Sequence, residues 1–302
     1  MENTVPSKPQ RSFLRSFFRF SAGILILMVL ISIGSAFLPD SWKSPKGDIA
    51  LIRIEGMLMD SRDIVRQLSD YGHQPGVRGI LLRIDSPGGA VAPAQEIYNE
   101  IMKLRAEHKI VYASMGSVAA SGGYYIACAA DYVLANPGTL TGSISAVMAF
   151  NNVEELTKKI GIKPDVIKSG KYKDVGSPLR AMKPEERKLL QEVIDDVHLQ
   201  FVEAVAKGRG LPISEVSVIA DGRIMTGQQA LKLKLVDELG GLEKTKELLA
   251  KKIGVQGRPK VIEEKEKTPF FDWLLQGSLS SGLAETLMPS PIPRLQYMWS
   301  PL

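Results

Sequence analysis

One uncharged stretch near the N-terminus constrains what this chain can form more than any other feature. Residues 20–38 (FSAGILILMVLISIGSAFL) carry no charge, and as a helix rising about 1.5 Å per residue they would cross a hydrocarbon core of roughly 30 Å. No acidic residue lies between Glu2 and Asp40. The basic residues before the stretch are Lys8, Arg11, Arg15 and Arg19. Because positive charge favours the cytoplasmic side, we predict a cytoplasmic N-terminus (1–19), a single transmembrane anchor (20–38) and an exported remainder.

The same stretch has two competing interpretations. Gly34, Ser35 and Ala36 are small residues of the kind that a signal peptidase reads, so a cleaved signal peptide competes with a retained anchor. A buried core helix is the other alternative, and the cationic residues before an uninterrupted apolar run argue against it. We favour the retained anchor.

Composition bounds the rest of the molecule. The 302 residues are 44% hydrophobic, enough for a sizeable core. The net charge of +5 arises from 38 Lys and Arg against 33 Asp and Glu spread along the chain, which gives no support to nucleic-acid binding. Cys128 is the single cysteine of the sequence, so an intrachain disulfide is excluded and a buried thiol in an apolar run is expected.

Strands alternate with helices after a polar linker at residues 39–47. Such alternation requires crossover connections, so we predict an α/β fold with a largely parallel sheet. The pattern predicts strands at 49–55, 79–84, 110–115, 132–135 and 165–168, and helices at 61–71, 93–107, 153–160, 184–207 and 242–253. In the long helix, Leu189, Val193, Val197 and Phe201 are spaced for one buried face. The aromatic, Pro-rich tail from residue 268 must be buried on its own domain, a neighbouring subunit or a membrane surface.

Ser121 lies in a strand-to-helix turn made of small residues. The segment 116–125 (GSVAASGGYY) leaves nothing bulky to shield its hydroxyl, and unpaired N–H groups at the start of the following helix could stabilise an oxyanion. The alternative is that Ser121 is an ordinary helix N-cap. A second motif, residues 85–89 (DSPGG), makes Gly88 a candidate oxyanion donor, although Pro-Gly is also a common turn pair.

A serine nucleophile needs a base, and none of the three histidines suits that role. His73 lies in a loop, His108 ends a charged helix and His198 lies beside an apolar stripe. A lysine amine can act as a base only when burial lowers its pKa from about 10.4. The candidates are Lys168, Lys171 and Lys173, and the residue pattern does not choose among them or exclude a solvated basic loop. Hydroxyls in residues 139–145, Ser143 especially, could hold the amine in place.

Five ordered motifs over residues 48–250 resemble the short, single-repeat form of the signal peptide peptidase A family, whose fold is related to Clp protease and crotonase. They are DSPGG (85–89), SVAASGGYYIACAAD (117–131), GTLTGSIS (138–145), KSGKYKDVGSP (168–178) and GRIMTGQQALKLKLVDELGG (222–241). The resemblance implies a Clp/crotonase-like β-α superhelix over residues 48–256, followed by a C-terminal tail (257–302) that matches less clearly and could form an interface.

The resemblance also implies roles for individual residues. Ser121 would be the nucleophile, Lys173 the general base and Ser143 the group that orients the lysine, while the amides of Gly88 and Gly122 would form the oxyanion hole. No cofactor and no metal is implied. The implied activity is a serine endopeptidase that degrades remnant signal peptides and other hydrophobic peptides outside the cytoplasmic membrane, as a homo-oligomer whose neighbouring subunits complete each site.

Two other functions share parts of this pattern. A crotonase-like acyl-transfer enzyme would have the same fold and glycine-based oxyanion hole, but the export signal argues against it. A non-catalytic membrane scaffold would keep the fold without the reactive pair, and the presence of both Ser121 and Lys173 argues against that alternative.

Overall fold

The computed structural model describes residues 47–264 and 296–298, together with positions 20, 21, 23–27 and 30 in a short helical stretch. The chain divides into two units, Met1–Pro45 and Lys46–Leu302. Among the residues described, no helix has both the length and the apolar character needed to cross a membrane. Most of the predicted anchor (20–38) and the linker up to residue 46 lie outside the described residues, so both stay predictions.

The described part of the second unit forms one nine-stranded sheet. Its strands are β1 (Ile49–Leu58), β2 (Gly79–Ala90), β3 (Ile110–Ala120), β4 (Tyr132–Ala135), β5 (Leu140–Gly142), β6 (Ile224–Thr226), β7 (Glu238–Leu239), β8 (Val261–Glu263) and β9 (Gln296–Met298). The main path runs β6-β5-β3-β2-β1-β8; β4 lies between β3 and β7, and β9 pairs with β2. Only β5–β6 and β2–β9 are antiparallel among the described pairs. The prediction of a largely parallel α/β sheet is confirmed.

Helices connect the parallel strands, as the alternating pattern predicts. They are α1 (Arg62–His73), α2 (Val91–Ala106), α3 (Gly122–Ala127), α4 (Glu154–Lys159), α5 (Pro184–Arg209), α6 (Ile213–Ile219), α7 (Gly227–Lys232) and α8 (Leu242–Lys252). Most bounds agree with the sequence prediction within two or three residues, whereas α6, β5, β7, β8 and β9 have no counterpart in it.

The central strands are buried on both faces. Ala50 and Ile52 of β1 belong to a large core that also contains α2, α3 and α5, whereas Ile49 and Leu51 belong to a smaller core closed by Leu249 and its neighbours in α8. Successive side chains of a strand point to opposite faces, so a sheet that is covered on both sides needs apolar residues at nearly every position. This double burial explains the near-continuous apolar runs of β1 and β2.

The predicted strand at residues 165–168 is wrong. Residues 162–168 have no regular secondary structure, and Ile167 is 98% exposed. A short apolar run becomes a strand only where another strand is available to pair with it, and this run lies outside the sheet. Residues 160–182, which we call the lysine arm because they contain Lys173, are therefore an irregular surface segment apart from turns.

The apolar face predicted for the long helix is only half correct. Val197 and Phe201 of α5 are buried, but Leu189 is half-buried and Val193 is 42% exposed. The 3.6-residue period identifies one face of a helix without showing where the core beneath that face ends. The N-terminal half of α5 thus presents apolar side chains that its own chain does not fully cover.

Candidate active site

Ser121 occupies a strained position between β3 and α3. Its φ of 54° and ψ of −117° are unfavourable for a residue with a side chain, and its N–H donates to the Gly142 carbonyl at 2.8 Å. The Tyr125 N–H donates to the Ser121 carbonyl, also at 2.8 Å. Such strain persists only where surrounding structure enforces it, and a sharp strand-to-helix turn is how α/β hydrolases present a nucleophilic serine. No side-chain cap bond is made by Ser121, so the N-cap interpretation lacks its defining contact.

Gly88 and Gly122, the two predicted oxyanion donors, meet beside this turn. A Cβ atom added to Gly88 would lie 2.7 Å from the Gly122 nitrogen, and one added to Gly122 would lie 3.2 Å from the Gly88 Cα. Gly88 also has a φ of 98°, in the left-handed region that favours glycine. The close approach and the backbone conformation together explain why glycine is required at residue 88.

The Gly88 N–H already has a partner. It donates to the Ser86 hydroxyl at 3.1 Å, and that hydroxyl donates in turn to the Gly56 carbonyl at 2.6 Å. An anionic oxygen is a stronger acceptor than a neutral hydroxyl, so a developing oxyanion could compete for this N–H. The DSPGG segment is therefore part of the extended strand β2, in which the Ser86 hydroxyl links the Gly88 N–H to the Gly56 carbonyl. The sequence prediction instead ended this strand at residue 84.

Asp85 supports the site in a way that the sequence analysis missed. Its carboxylate accepts from the Ser117 N–H at 3.3 Å and from the Val118 N–H at 3.1 Å. These bonds tie the end of β2 to the irregular part of β3 just before Ser121. An acidic residue directly after the predicted strand 79–84 was the available signal, since a partly buried carboxylate needs donors and backbone N–H groups at a strand irregularity supply them.

Ser143 lies close to the nucleophile along the backbone of β5. Gly142 pairs with Ala120 of β3, and its carbonyl accepts a hydrogen bond from the Ser121 N–H. Ser143 is the residue that follows Gly142. Its own N–H donates to the Arg223 carbonyl at 2.8 Å, and its φ of 53° is again positive. The structure thus brings Ser121, Ser143 and both glycines to one place.

Lys173 is different from the other predicted site residues. Its side chain is exposed, and within the described residues it forms no hydrogen bond or ion pair with Ser121. Lys168 contacts the Asp174 carboxylate and Lys171 lies 3.7 Å from the Glu185 carboxylate, whereas Lys173 has no acidic partner in the described chain.

The lysine arm is anchored by an ion-pair network at its C-terminal end. Arg180 donates to Asp174 at 3.0 Å and to Glu186 at 2.6 Å. Hydrogen bonds from Arg180 lower the pKa of Glu186 to about 2, and those from Arg180 and Lys168 hold the pKa of Asp174 well below its usual range. The network fixes the arm to the start of α5 but leaves Lys173 in solvent.

Cys128 and the histidines His73 and His198 form no hydrogen bond with Ser121 in the described residues. Burial raises the pKa of the Cys128 thiol to about 12, and its Sγ donates to the Tyr125 carbonyl at 3.1 Å. His73 lies 3.2 Å from Glu107 at the end of α1, and His198 has a buried Nδ1 without a partner. In the described part of the chain no cluster of His, Cys, Asp or Glu could hold a metal ion.

Comparison with known proteins identifies the family of this chain. The sequence profile of Peptidase family S49 matches residues 103–256, and that of Clp protease matches residues 52–141. A protein of Synechocystis sp. named as a protease is 44% identical over 213 residues, covering 70% of this chain and 76% of the relative. A protein of Enterococcus faecium named as signal peptide peptidase SppA is 36% identical, covering 70% of this chain and 62% of the relative.

A third relative is longer. The chloroplastic serine protease SPPA of Arabidopsis thaliana is 35% identical over 68% of this chain but only 30% of its own length. The mostly parallel sheet and these matches define a serine peptidase with a Clp-protease-like α/β fold. The chain belongs to peptidase family S49, and the resemblance to signal peptide peptidase A is confirmed.

Proposed function

We propose that this protein is a membrane-tethered serine endopeptidase that uses Ser121 and Lys173 to degrade remnant signal peptides and other hydrophobic peptides outside the cytoplasmic membrane. The observation that carries the proposal is the strained Ser121 held beside the paired glycines Gly88 and Gly122. A nucleophile next to converging backbone donors is the arrangement that acyl transfer to serine requires.

The proposed steps follow from the positions of these groups. The Ser121 Oγ attacks a peptide carbonyl carbon while the neutral Lys173 amine takes its proton, and the Gly88 and Gly122 N–H groups donate to the oxyanion. The ammonium then protonates the leaving amine. Water, deprotonated by the same amine, hydrolyses the acyl-enzyme and restores Ser121. The steps need neither a cofactor nor a metal.

Lys173 reaches Ser121 from a neighbouring subunit in this proposal. The amine must be desolvated to act as a base, yet in the single chain it is exposed and has no bond to Ser121. Apolar side chains of the arm are also exposed, including Ile162 (52%), Val166 (54%) and Ile167 (98%). Exposed apolar groups around an uncovered lysine favour a subunit interface that buries the arm. In a ring of identical subunits, each subunit can supply its Lys173 to the Ser121 of its neighbour, so every site is completed in the same way.

The membrane and the substrate class rest on two further arguments. Residues 20–38 would tether the peptidase domain where hydrophobic peptides are released, with the N-terminus in the cytoplasm. The name of the Enterococcus faecium relative, signal peptide peptidase SppA, describes an activity on such peptides. An extracytoplasmic enzyme that removes leftover signal peptides is consistent with both.

Mixing two inactive variants tests the shared site. Ser121→Ala and Lys173→Ala should each lose nearly all hydrolysis of a hydrophobic peptide. If neighbouring subunits share the site, subunits exchanged at equal amounts should regain about a quarter of the parent activity, because a site is restored when an intact serine meets an intact lysine. Ser117→Ala, at an exposed serine of β3, is the matched control and should retain activity.

Each outcome has a distinct meaning. Two dead variants with no recovery on mixing would contradict the shared site and place Lys173 in the same subunit as Ser121. Variants that match the parent would contradict the Ser/Lys peptidase altogether and favour a non-catalytic scaffold. Sedimentation of the mixed sample shows that subunits have exchanged and that the oligomer is intact.

A further inference from the structure

One end of the sheet carries a row of basic residues that the candidate active site does not use. Strands β8, β1, β2 and β3 are parallel, and their first residues pair with one another across the sheet. The residues that directly precede these four strands therefore form one row, which reads Lys260, Asp48, Arg78 and Lys109. Backbone hydrogen bonds hold the row together, since the Asp48 carbonyl accepts from the Arg78 N–H at 2.8 Å and the Asp48 N–H donates to the Lys260 carbonyl at 2.7 Å.

The end of α8 and the loop after it add further cations to this row. Lys251 and Lys252 are in the last turn of α8, and Arg258 lies in the loop that leads to β8. The Arg78 guanidinium lies next to this helix end, because a Cβ atom added to Gly254 would be 3.5 Å from it. Positive charge is favourable at a helix C-terminus, which accounts for the two lysines. The two arginines lie outside helices, so the same explanation does not apply to them.

The exposed cations of this region, which we call the basic edge, have no ion-pair partner within the described residues. They are Arg78, Lys251, Lys252, Arg258 and Lys260. The acidic side chains near the same strand starts, Asp48, Glu107 and Asp131, already have hydrogen-bond or ion-pair partners. A cluster of one sign that its own chain does not neutralise attracts a partner of the opposite charge. The basic edge is therefore suited to an anionic surface.

The chain enters the peptidase domain at the basic edge. Gly47 packs against the start of β8, where an added Cβ atom would lie 2.9 Å from the Lys260 carbonyl oxygen. The predicted anchor ends at residue 38, and the linker 39–47 spans at most about 30 Å when fully extended. An inserted anchor would therefore keep this edge within about that distance of the bilayer. The charge of the edge and its position along the chain both point to the membrane surface.

We propose that the basic edge binds the headgroups of anionic phospholipids and so fixes the orientation of the peptidase domain on the membrane. This inference rests on the anchored topology of the proposed function and not on its chemistry. Each basic residue close to an anionic membrane strengthens the contact about fivefold, and headgroup phosphates accept charge-assisted hydrogen bonds from arginine and lysine. A ring of subunits whose axis is perpendicular to the membrane would turn the same edge of every subunit towards the lipid.

The basic edge and the candidate active site are at opposite ends of the same strands. The part of β2 from Gly79 to Gly88 is roughly 30 Å long, at about 3.3 Å per residue. Lipid headgroups bound at the edge therefore do not contact the proposed reacting groups. We expect the lipid contact to orient the domain without changing the hydrolysis of a small soluble peptide.

Hydrogen exchange of the full-length protein reconstituted in vesicles tests the inference. Vesicles of phosphatidylcholine are compared with vesicles in which about a third of the lipid is phosphatidylglycerol, so that only the surface charge differs. Residues 74–78 and 251–260 should exchange at least about threefold more slowly on the anionic vesicles. Sodium chloride at about 0.5 M should remove the difference, because salt screens exposed charges.

Two double variants identify the residues responsible. Arg258→Glu combined with Lys260→Glu reverses two charges of the basic edge and should abolish the lipid-dependent protection. The same variant should hydrolyse a soluble peptide at the parent rate, since it alters no residue of the proposed site. Arg187→Glu combined with Lys188→Glu is the matched control, because these two cations of α5 are also exposed and have no ion pair in the described chain. The control should keep the protection.

The outcomes separate this inference from the proposed function. Equal exchange on both kinds of vesicle, or protection that persists in the Arg258→Glu, Lys260→Glu variant, would overturn the inference. Equal protection by inorganic phosphate without vesicles would also overturn it, since the edge would then bind a free anion. Failure of the parent to float with phosphatidylcholine vesicles would contradict the anchor of the proposed function, and hydrolysis that does not depend on Ser121 would contradict its chemistry. Flotation with anionic vesicles alone, lost in the double variant, would still support the lipid contact.

Discussion

The region around Ser121 is buried and hydrogen-bonded within the sheet, whereas the lysine arm is exposed and irregular. Ser121 is 1% exposed and is bonded to the backbone of β5, in the interior of a sheet that is covered on both faces. The arm has no strand or helix over residues 162–168, exposes its apolar side chains and is anchored by ion pairs at one end. The proposed nucleophile and oxyanion donors lie together within one chain, whereas the proposed base, Lys173, is exposed and has no bond to Ser121 in the described residues. We infer that assembly, not folding of the single chain, brings the base into place.

The largest expected effect comes from the arm itself. Lys173→Ala should lower kcat/KM by about 10³-fold, since general-base catalysis of this kind contributes 10²–10⁴-fold. Lys173→Arg should not restore activity, because a guanidinium stays protonated. Lys171→Ala, which removes a lysine already near Glu185, is the matched control and should stay within about twofold of the parent.

A pH series sharpens the same comparison. Activity of the parent should rise with pH as an amine loses its proton, and the small residual activity of Lys173→Ala should lack that rise. Equal losses in the Lys171 and Lys173 variants would show that the arm contributes charge in general and not one specific base.

An effect of intermediate size is expected on the Ser121 side. Gly88→Ala should lower kcat/KM by about 10²-fold, because its Cβ would press on the Gly122 nitrogen and displace one oxyanion donor. Gly56→Ala is the control: Gly56 also has a positive φ, of 69°, but nothing lies within 4 Å of its Cβ position. Both variants carry a similar backbone strain of about 1–2 kcal/mol. If Gly56→Ala were equally inactive in steady-state assays, strain and not the oxyanion hole would explain the loss.

The smallest effect should come from the anchor of the arm. Arg180→Gln should lower kcat/KM about tenfold, because it removes the ion pair that ties the arm to Glu186 of α5 and the pair with Asp174 within the arm, with little change in the fold of the sheet. Arg187→Gln is the control, because Arg187 is exposed in α5 next to Glu186 and has no ion pair in the described part of the chain. Hydrogen exchange of residues 160–182 measures the loosening directly, and unchanged exchange in Arg180→Gln would contradict it.

The pH dependence of this anchor has a defined sign. The pKa of Glu186 is lowered to about 2 and that of Asp174 is lowered as well, so both carboxylates stabilise the anchored arm above their ordinary pKa near 4. That contribution is lost as the pH falls from about 5 towards 2. Exchange of the arm should therefore accelerate over this range in the parent, after correction for the intrinsic rate, and should be fast throughout in Arg180→Gln.

Local sequence patterns predicted most of the fold and part of the site. β4 and the helices α1, α2 and α8 follow from apolar periodicity, and the small residues around Ser121 indicated the strand-to-helix turn, although Ser121 is buried and not exposed. The identities of the base and the oxyanion donors came from the resemblance to a known family, because three lysines in one loop have equivalent local surroundings. Apolar periodicity and turn residues are patterns that involve residues within about ten positions of each other in the sequence, so they predict only local structure.

The sequence by itself determined the alternation of elements, the double burial of the central strands and the small-residue turn that contains Ser121. Only the tertiary structure decided which distant segments pair. β8 and β9 join the sheet beside strands more than 200 residues earlier, Asp85 ties β2 to β3, and Lys173 lies in solvent. A three-residue strand such as β9 carries almost no periodic signal. Its place depends on the packing of Tyr297 against Tyr125 and Phe201 and on the free edge of β2. These surfaces exist only after the rest of the chain has folded.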